Sequence, residues 1–308
     1  MIDLYYPHAD DAGTRLDVWL SDQLEDQSRS YLQKLIRDGC VLADGSPVKS
    51  NYRIRGGETL SVDIPEAVPL AIEAEDIPLS ILYEDRDLVF VDKPRGMVVH
   101  PAAGHLSGTL VNALLYHCGA ELSGINGALR PGIVHRIDMD TSGVIVICKN
   151  DAAHRKVAEQ FAVHSITRRY LAICHGSFPE TEGVVDAPIG RSRTDRKKMA
   201  VVPDGKRAVT HYRVLCQTKQ YALVQLQLET GRTHQIRVHM TKIGHPLLGD
   251  TVYGNRPNAF HAQAQTLHAA VLGLVHPATG EYLECVSPLP PYFTDLAGKC
   301  GLSLPGQL

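Results

Sequence analysis

The sequence predicts an α+β protein: a small N-terminal α/β unit followed by a larger domain on a mixed, largely antiparallel β-sheet. Three observations carry this. From about residue 80 onward, strand-like apolar runs outnumber helical ones. Successive runs are often separated only by short turns, which favours antiparallel neighbours over the long crossovers of a doubly wound sheet. The first 64 residues differ, with two short helical patterns ahead of brief alternating strands.

In chain order, residues 1–13 read as a tail. Within 14–64, TRLDVWLSDQL sets Leu16, Trp19, Leu20 and Leu24 at helical spacing. SRSYLQKLIRDG repeats the pattern with Leu32, Leu35 and Ile36, opened by Ser28 or Ser30 as a cap and closed by Gly39. Strand pieces follow around turns at Asp44-Gly45 and Gly56-Gly57, and Leu60, Val62 and Ile64 alternate. Residues 65–79 have poor periodicity and much Glu, Ala and Pro, as a linker does. The second domain spans 80–300, and 301–308 form a C-terminal tail. Its expected strands are SILYED, LVFVDKP, MVVH, GVIVICK, RRYLAICHG, AVTHYRVL, YALVQLQLET, HQIRVHM and EYLECVSP. Its expected helices are TLVNALLYHC, DAAHRKVAEQFAVH and AQTLHAAVLGLVH.

Composition narrows the function classes. An apolar share of 44% is ordinary for a folded chain, and the 6% aromatic content leaves the core to Val, Leu, Ile and Ala. The net charge of -3 carries no global signature of nucleic acid. Positive charge is nevertheless concentrated locally. Arg191 to Lys242 holds 12 Lys or Arg against Asp195, Asp204 and Glu229, a balance suited to counterion release from an RNA backbone. Seven scattered cysteines without a CxxC pair fit reduced thiols in a cytoplasmic protein. The opening MIDLYYPHADDAG has no basic-then-apolar order, so no signal peptide is expected, and no apolar run is long enough for a membrane span.

Two segments concentrate chemistry. RPGIVHRIDMDTSGVIVICKN sets His135, Arg136, Asp138, Asp140, Thr141 and Ser142 just before an apolar strand, where a polar loop is held rigid; a capped polar turn is the bland alternative. LQLETGRTHQIRVHMTKIGHPLLGD carries Arg232 and His234, then an alternation that sends Ile236 and Val238 to one face and Arg237 and His239 to the other. That row is either a solvated face or a set that meets phosphates or a carboxylate. The 15 histidines show no HExxH, so no metal is expected. The glycines of VDKPRGMVVHPAAGHLSGT lack the spacing of a phosphate-binding loop. A glycosidase-like pair of Asp138 and Asp140 stays weak, because i,i+2 spacing in a loop fixes no separation.

HRIDMDTSGVIV resembles the signature of the RluA-type pseudouridine synthases, with Ile137 where the family usually has Leu. LVFVDKPRGMVVHP, RRYLAICHG and GRTHQIRVHMTKIGHPLLGD match in the family order, so the likeness spans most of 80–298. Residues 14–64 are similar to the alpha-L RNA-binding domain of a ribosomal protein, with Ala43-Asp44-Gly45 at the usual VNG. The combination is similar to the ribosomal large-subunit pseudouridine synthase D group. The resemblance implies isomerisation of uridine to pseudouridine in structured RNA. Large-subunit ribosomal RNA or a pre-ribosomal particle is favoured; a tRNA target and a non-catalytic assembly factor are the alternatives. It implies Asp138 as the catalytic carboxylate, Arg237 as its basic partner and Tyr170 as the ring against the target base. It implies Arg136 as the group that fills the space of the flipped uridine. Ile236 serves as uracil wall or core, and Thr141 shapes the loop. His135 is packing or base, Arg232 joins the substrate row, and Arg191, Arg193, Lys197 and Lys198 belong to a phosphate-contacting loop. No cofactor is needed, and a monomer is the default.

Overall fold

The computed structural model describes residues 2–24, 29–49, 51–64, 72–102, 104–119, 121–125, 127, 130–195, 198–254 and 260–306. The chain divides into two compact units, Met1–Pro69 and Leu70–Leu308.

The first unit contains β1 (Ile2–Tyr5), α1 (Leu16–Gln23), α2 (Arg29–Arg37), β2 (Val41–Ala43), β3 (Ser46–Pro47) and β4 (Leu60–Asp63). Its strands run in the order β1-β4-β2-β3, all antiparallel. Leu16, Trp19 and Leu20 of α1 and Leu32, Leu35 and Ile36 of α2 pack on Val41, Leu60 and Val62. Buried Asp17 ties the helices together by accepting from Arg15, Arg29 and Gln33. The N-terminal stretch is not a free tail: Ile2–Tyr5 pairs with β4, a long-range contact that local pattern does not reveal. The Ser28 cap and the side chain of Ser30 lie outside the described residues, as do linker residues 65–71. Ile72 and Leu79 pack on the core of the second unit, so the linker ends earlier than expected.

The second unit contains β5 (Ser80–Glu84), β6 (Leu88–Lys93), α3 (Leu110–Cys118), β7 (Ser142–Cys148), α4 (Asp151–Ala162), β8 (Thr167–His175) and β9 (Glu182–Asp186). It continues with β10 (Ile189–Arg191), β11 (Met199–Val201), β12 (Val209–Gln217), β13 (Tyr221–Leu228), α5 (Gln235–Lys242), β14 (Leu267–Val275), β15 (Tyr282–Val286) and α6 (Pro291–Lys299). One sheet runs β5-β6-β7-β14-β8-β13-β12-β9, with β15 also on β14. Its neighbours are antiparallel except β7 and β14. β10 and β11 form a separate hairpin.

Helices cover both faces of the sheet. On one face α3 packs on Val89, Val91, Ile145 and Ile147, and α6 packs on Leu171, Ile173 and Leu223. On the other, α4 packs on Phe90, Val144 and Val146, and α5 packs on Ala172, Val224 and Leu226. Thr109 caps α3 and Asn150 caps α4, each accepting from a backbone N–H of the first turn. Burial on both sides explains why the central strands read as continuous apolar runs. Leu302 is buried beside α6, so the C-terminal stretch is docked where a tail was expected.

Three elements differ from the sequence reading. AQTLHAAVLGLVH, rich in helix formers, is strand β14: it is buried on both faces, and an unbroken apolar run does not separate strand from helix. MVVH makes no strand. HQIRVHM is helix α5. Every residue from Gln235 to Met240 is buried, so the apparent alternation did not mark one wet face. Two of its polar side chains have buried partners across the core: Gln235 reaches Val209 and Thr210, and His239 reaches Thr210 and Ala187.

Lys93 closes β6 with its side chain fully buried. Its Nζ donates to the carbonyls of Pro94, Met97 and Met139 at 2.8, 2.9 and 2.9 Å. Three acceptors match the three protons of the ammonium. Burial nevertheless pushes its pKa down to about 7, against the pull of Asp140, Asp138 and Asp92. Lys93→Met is expected to leave the Pro94 and Met97 carbonyls without this donor, at about 1–3 kcal/mol each, whereas the Met139 carbonyl keeps the Gly96 N–H. Thermal melting would show the loss as a fall of roughly 5–10 °C; an unchanged melting temperature would contradict it.

Candidate active site

A cleft of ≈ 530 Å³ opens between α4 and α5 above β8 and β14. Its walls include Ala158, Phe161 and Ala162 of α4, Arg168 and Tyr170 of β8, Leu267 of β14, and Gln235, Ile236 and Arg237 of α5. The loop before β7 contributes His135, Arg136, Ile137, Asp138 and Thr141.

The loop is held where β7 meets β14. Gly143 has φ 115, and a Cβ there would fall on the Ala269 carbonyl, so this parallel crossing requires glycine. The Thr141 N–H donates to the Asp138 carbonyl at 3.1 Å, and Gly96 N–H to that of Met139 at 2.9 Å. These bonds present the Asp138 side chain, 20% exposed, to the cleft.

Asp138 is the outer member of a charge chain. Arg237 Nη1 lies 3.1 Å from Asp138 Oδ2. The other edge of the same guanidinium meets Asp250 twice, Nε to Oδ2 at 2.7 Å and Nη2 to Oδ1 at 3.0 Å. Asp250 Oδ1 also accepts from the N–H groups of Val252 and Tyr253. Burial pushes the Asp250 carboxyl up, but Arg237 and those two amides outweigh it and hold it below the usual carboxylate range. The Tyr253 ring lies against the guanidinium, 5.0 Å from Cζ to centroid. Arg237 is thus locked by a buried carboxylate and fixes one oxygen of Asp138. The other, Oδ1, lies 3.9 Å from His234 Nε2. His234 begins α5 with φ 56, and its Nδ1 is 2.8 Å from the Tyr253 hydroxyl.

Tyr170 is 9% exposed and forms an apolar surface with Ile137, Ile236 and Leu267. Burial pushes its phenol pKa up; Arg168 opposes this and Asp138 adds to it. Ile236 belongs to the core and to the cleft wall at once. Arg136 stands exposed at the rim. Arg232 also lines the cleft, with Nε donating to the Arg207 carbonyl at 3.0 Å. His135 supports the loop from within. Its Nε2 accepts from Val146 N–H at 3.1 Å, its ring stacks on Phe161, and burial pushes its pKa down to about 3. It is a neutral strut, and the packing alternative is the one this geometry supports.

The basic candidates outside the cleft lie on the β10–β11 hairpin. Arg191 and Arg193 are exposed, and Arg193 pairs with Asp204 at 3.0 Å. Lys198 is half-buried at the hairpin turn, and Lys197 lies outside the described residues. Met199 of β11 donates its N–H to the Tyr253 hydroxyl at 2.9 Å, so the hairpin and the charge chain share that ring. Asp140 does not line the cleft, which removes it from a paired-carboxylate site. Two groups with metal-ligand side chains occur among the described residues, Glu84/His117/Cys118 and Asp85/Asp87/His276, both outside the cleft. Among the described residues, no helix is long and apolar enough to cross a membrane. Sequence reasoning assigned no role to Asp250, Tyr253 or Arg168, and named His234 only as part of the row that meets phosphates or a carboxylate. Asp250 and His234 fall inside the quoted motif, but only the fold shows that they surround Arg237.

Comparison with known proteins shows the family. Residues 87–242 match the RNA pseudouridylate synthase family, and residues 14–60 match the S4 domain. The chain is 52% identical over 282 residues to the RNA pseudouridine synthase YlyB of Bacillus subtilis (strain 168), covering 92% of each protein. It is 52% identical over 289 residues to the ribosomal large subunit pseudouridine synthase D of Zymomonas mobilis, covering 90% of this chain and 91% of that one. The solved structure of human RNA pseudouridylate synthase domain containing 4 aligns with TM-score 0.58 and 30% identity, over 74% of this chain and 95% of that one.

Proposed function

We propose, from the premise that the chain belongs to the RNA pseudouridylate synthase family and carries an S4 domain, that it converts selected uridines of large-subunit ribosomal RNA to pseudouridine through Asp138. The reaction is an isomerisation: N1–C1′ breaks, C5–C1′ forms, a proton leaves C5 and N1 gains one. Composition and oxidation state are unchanged, so the chemistry calls for positioned side chains and no redox partner.

The observation that carries the reading is the Asp138–Arg237–Asp250 chain set in a cleft with apolar walls. Arg237 holds Oδ2 and leaves Oδ1 for the ribose–base unit. Tyr170, Ile236 and Leu267 give the released uracil a surface on which to turn without escaping. A duplex-embedded uridine is out of reach of this cleft, so the nucleotide must swing out, and Arg136 at the rim fills its place. Arg191, Arg193 and Lys198 on the hairpin, together with the S4 unit, hold the RNA through backbone contacts that do not read its bases. The ribosomal target draws support from the similarity to the Zymomonas mobilis enzyme. A cytoplasmic monomer is part of the same reading.

The test is to map pseudouridine in total cellular RNA from a deletion strain, then after restoring wild type or Asp138→Asn. Large-subunit ribosomal sites are expected to vanish on deletion and return only with wild type. Losses confined to tRNA would overturn the ribosomal target, and full recovery with the asparagine variant would overturn the role of Asp138.

A further inference from the structure

We propose that Arg168 is the anion site of the cleft, where its guanidinium receives a phosphodiester oxygen of the RNA strand next to the target uridine. This rests on the reading that the Asp138 cleft holds that uridine. Arg168 and Tyr170 are two apart on β8, so their side chains leave the same face of the sheet, and both line the cleft.

Arg168 is 6% exposed. Its Nη2 donates to the Glu229 and Leu228 carbonyls at 2.6 and 3.4 Å. Its Nε is buried without a hydrogen-bond partner. Among the described residues, no carboxylate forms an ion pair with it. Arg237 differs sharply, bracketed by Asp138 and Asp250, while Arg136 is exposed to water. A buried guanidinium without counter-charge is costly, and two carbonyl dipoles offset only part of that cost. Arginine does not escape by losing its proton, so the charge persists.

The surroundings point to what would compensate it. Gly231 also lines the cleft, and a Cβ there would come within 2.8 Å of Arg168 Nη1, so the missing side chain leaves that nitrogen open. The Phe161 ring lies 5.6 Å from Cζ, and Ala158, Ala162 and Val134 line the same cleft, an apolar share of wall that weakens screening of the charge. RNA carries formal negative charge on its phosphates, whereas a uracil carbonyl is neutral in the bound substrate. A phosphodiester oxygen is therefore the matching ligand, held by a charge-assisted bond that a lysine would reproduce only in part.

The test is a cycle between protein and RNA. Full-length wild type, Arg168→Lys and Arg168→Gln are assayed on a synthetic stem–loop spanning the uridine that the wild type modifies. The RNA carries native phosphates, or one neutral methylphosphonate immediately 5′ or 3′ of that uridine. Arg168→Gln is expected to raise the RNA concentration for half-maximal rate by roughly 10–100-fold, with lysine in between. One of the two methylphosphonates should weaken the wild type by a similar factor and leave the glutamine variant unaffected. Equal methylphosphonate penalties in both proteins would overturn the proposal and assign Arg168 to the base or to the fold. A purely structural defect enters both arms of the cycle and cancels. If the glutamine variant does not fold, the lysine variant carries the same comparison. Full turnover by Asp138→Asn on native RNA would instead sink the cleft reading, a separate result.

Discussion

Asp138→Asn is expected to fold and bind RNA like the wild type while product formation falls by on the order of 10⁴-fold. The substitution changes almost no volume. Arg237 keeps both of its contacts with Asp250, at 2.7 and 3.0 Å, so the buried part of the charge chain survives. The asparagine orients itself. Its carbonyl oxygen must face Arg237, because an amide NH2 there would set donor against donor. That places NH2 where Oδ1 faced the cleft. A nucleophilic or proton-accepting oxygen is replaced by a donor at the position that must act on the ribose–base unit. The reaction expels the C5 proton, so tritium release from RNA labelled at uridine C5 measures turnover. Release at the wild-type rate would end the mechanism. A shifted melting temperature with lost RNA binding would instead make Asp138 a structural residue.

How much of this was legible in the sequence depends on whether the information was local. The Asp138 loop was legible because a dense polar cluster directly precedes the unbroken apolar run of β7. Arg237 was legible as a partner by motif, yet its segment was read as a strand. Six consecutive buried residues in α5 leave no solvated face, so neither a period of two nor one of 3.6 is cleanly displayed. β14 failed for the same reason, since burial on both faces erases the alternation. The β10–β11 hairpin has only three residues in each strand, too few to register as a pattern. β1 depends on a partner some 60 positions away in sequence, a separation that follows from its pairing of Ile2 with Asp63. Asp250 and Arg168 share a further obstacle. What marks them is burial without water or, for Arg168, without a counter-charge, and burial belongs to the assembled sheet rather than to any stretch of chain.

Asp250→Ala is expected to cost stability and activity together, in contrast with the asparagine variant of Asp138. The Asp250 side chain has no exposure and Arg237 only 7%. Removing it strips the guanidinium of its two shortest bonds and leaves the Val252 and Tyr253 N–H groups without that acceptor. Breaking one side of a buried ion pair costs about 3–5 kcal/mol, because the remaining charge stays desolvated. In a domain of this size that lowers the melting temperature by roughly 10 °C. The pH dependence supplies a second signature. The folded carboxyl of Asp250 titrates below its unfolded value of about 3.9, so its stabilisation is complete above that pH. It is lost as the pH falls through the lower, folded value. The gap between wild type and variant should therefore be widest near neutrality and narrow in acid. A gap that is absent at pH 7, or that stays constant into acid, would show that Asp250 does not anchor Arg237. Activity discriminates further. With its far edge released, the guanidinium is free to rotate onto both oxygens of Asp138, occupying the oxygen that the reaction requires, so turnover is expected to fall even at temperatures where the variant remains folded.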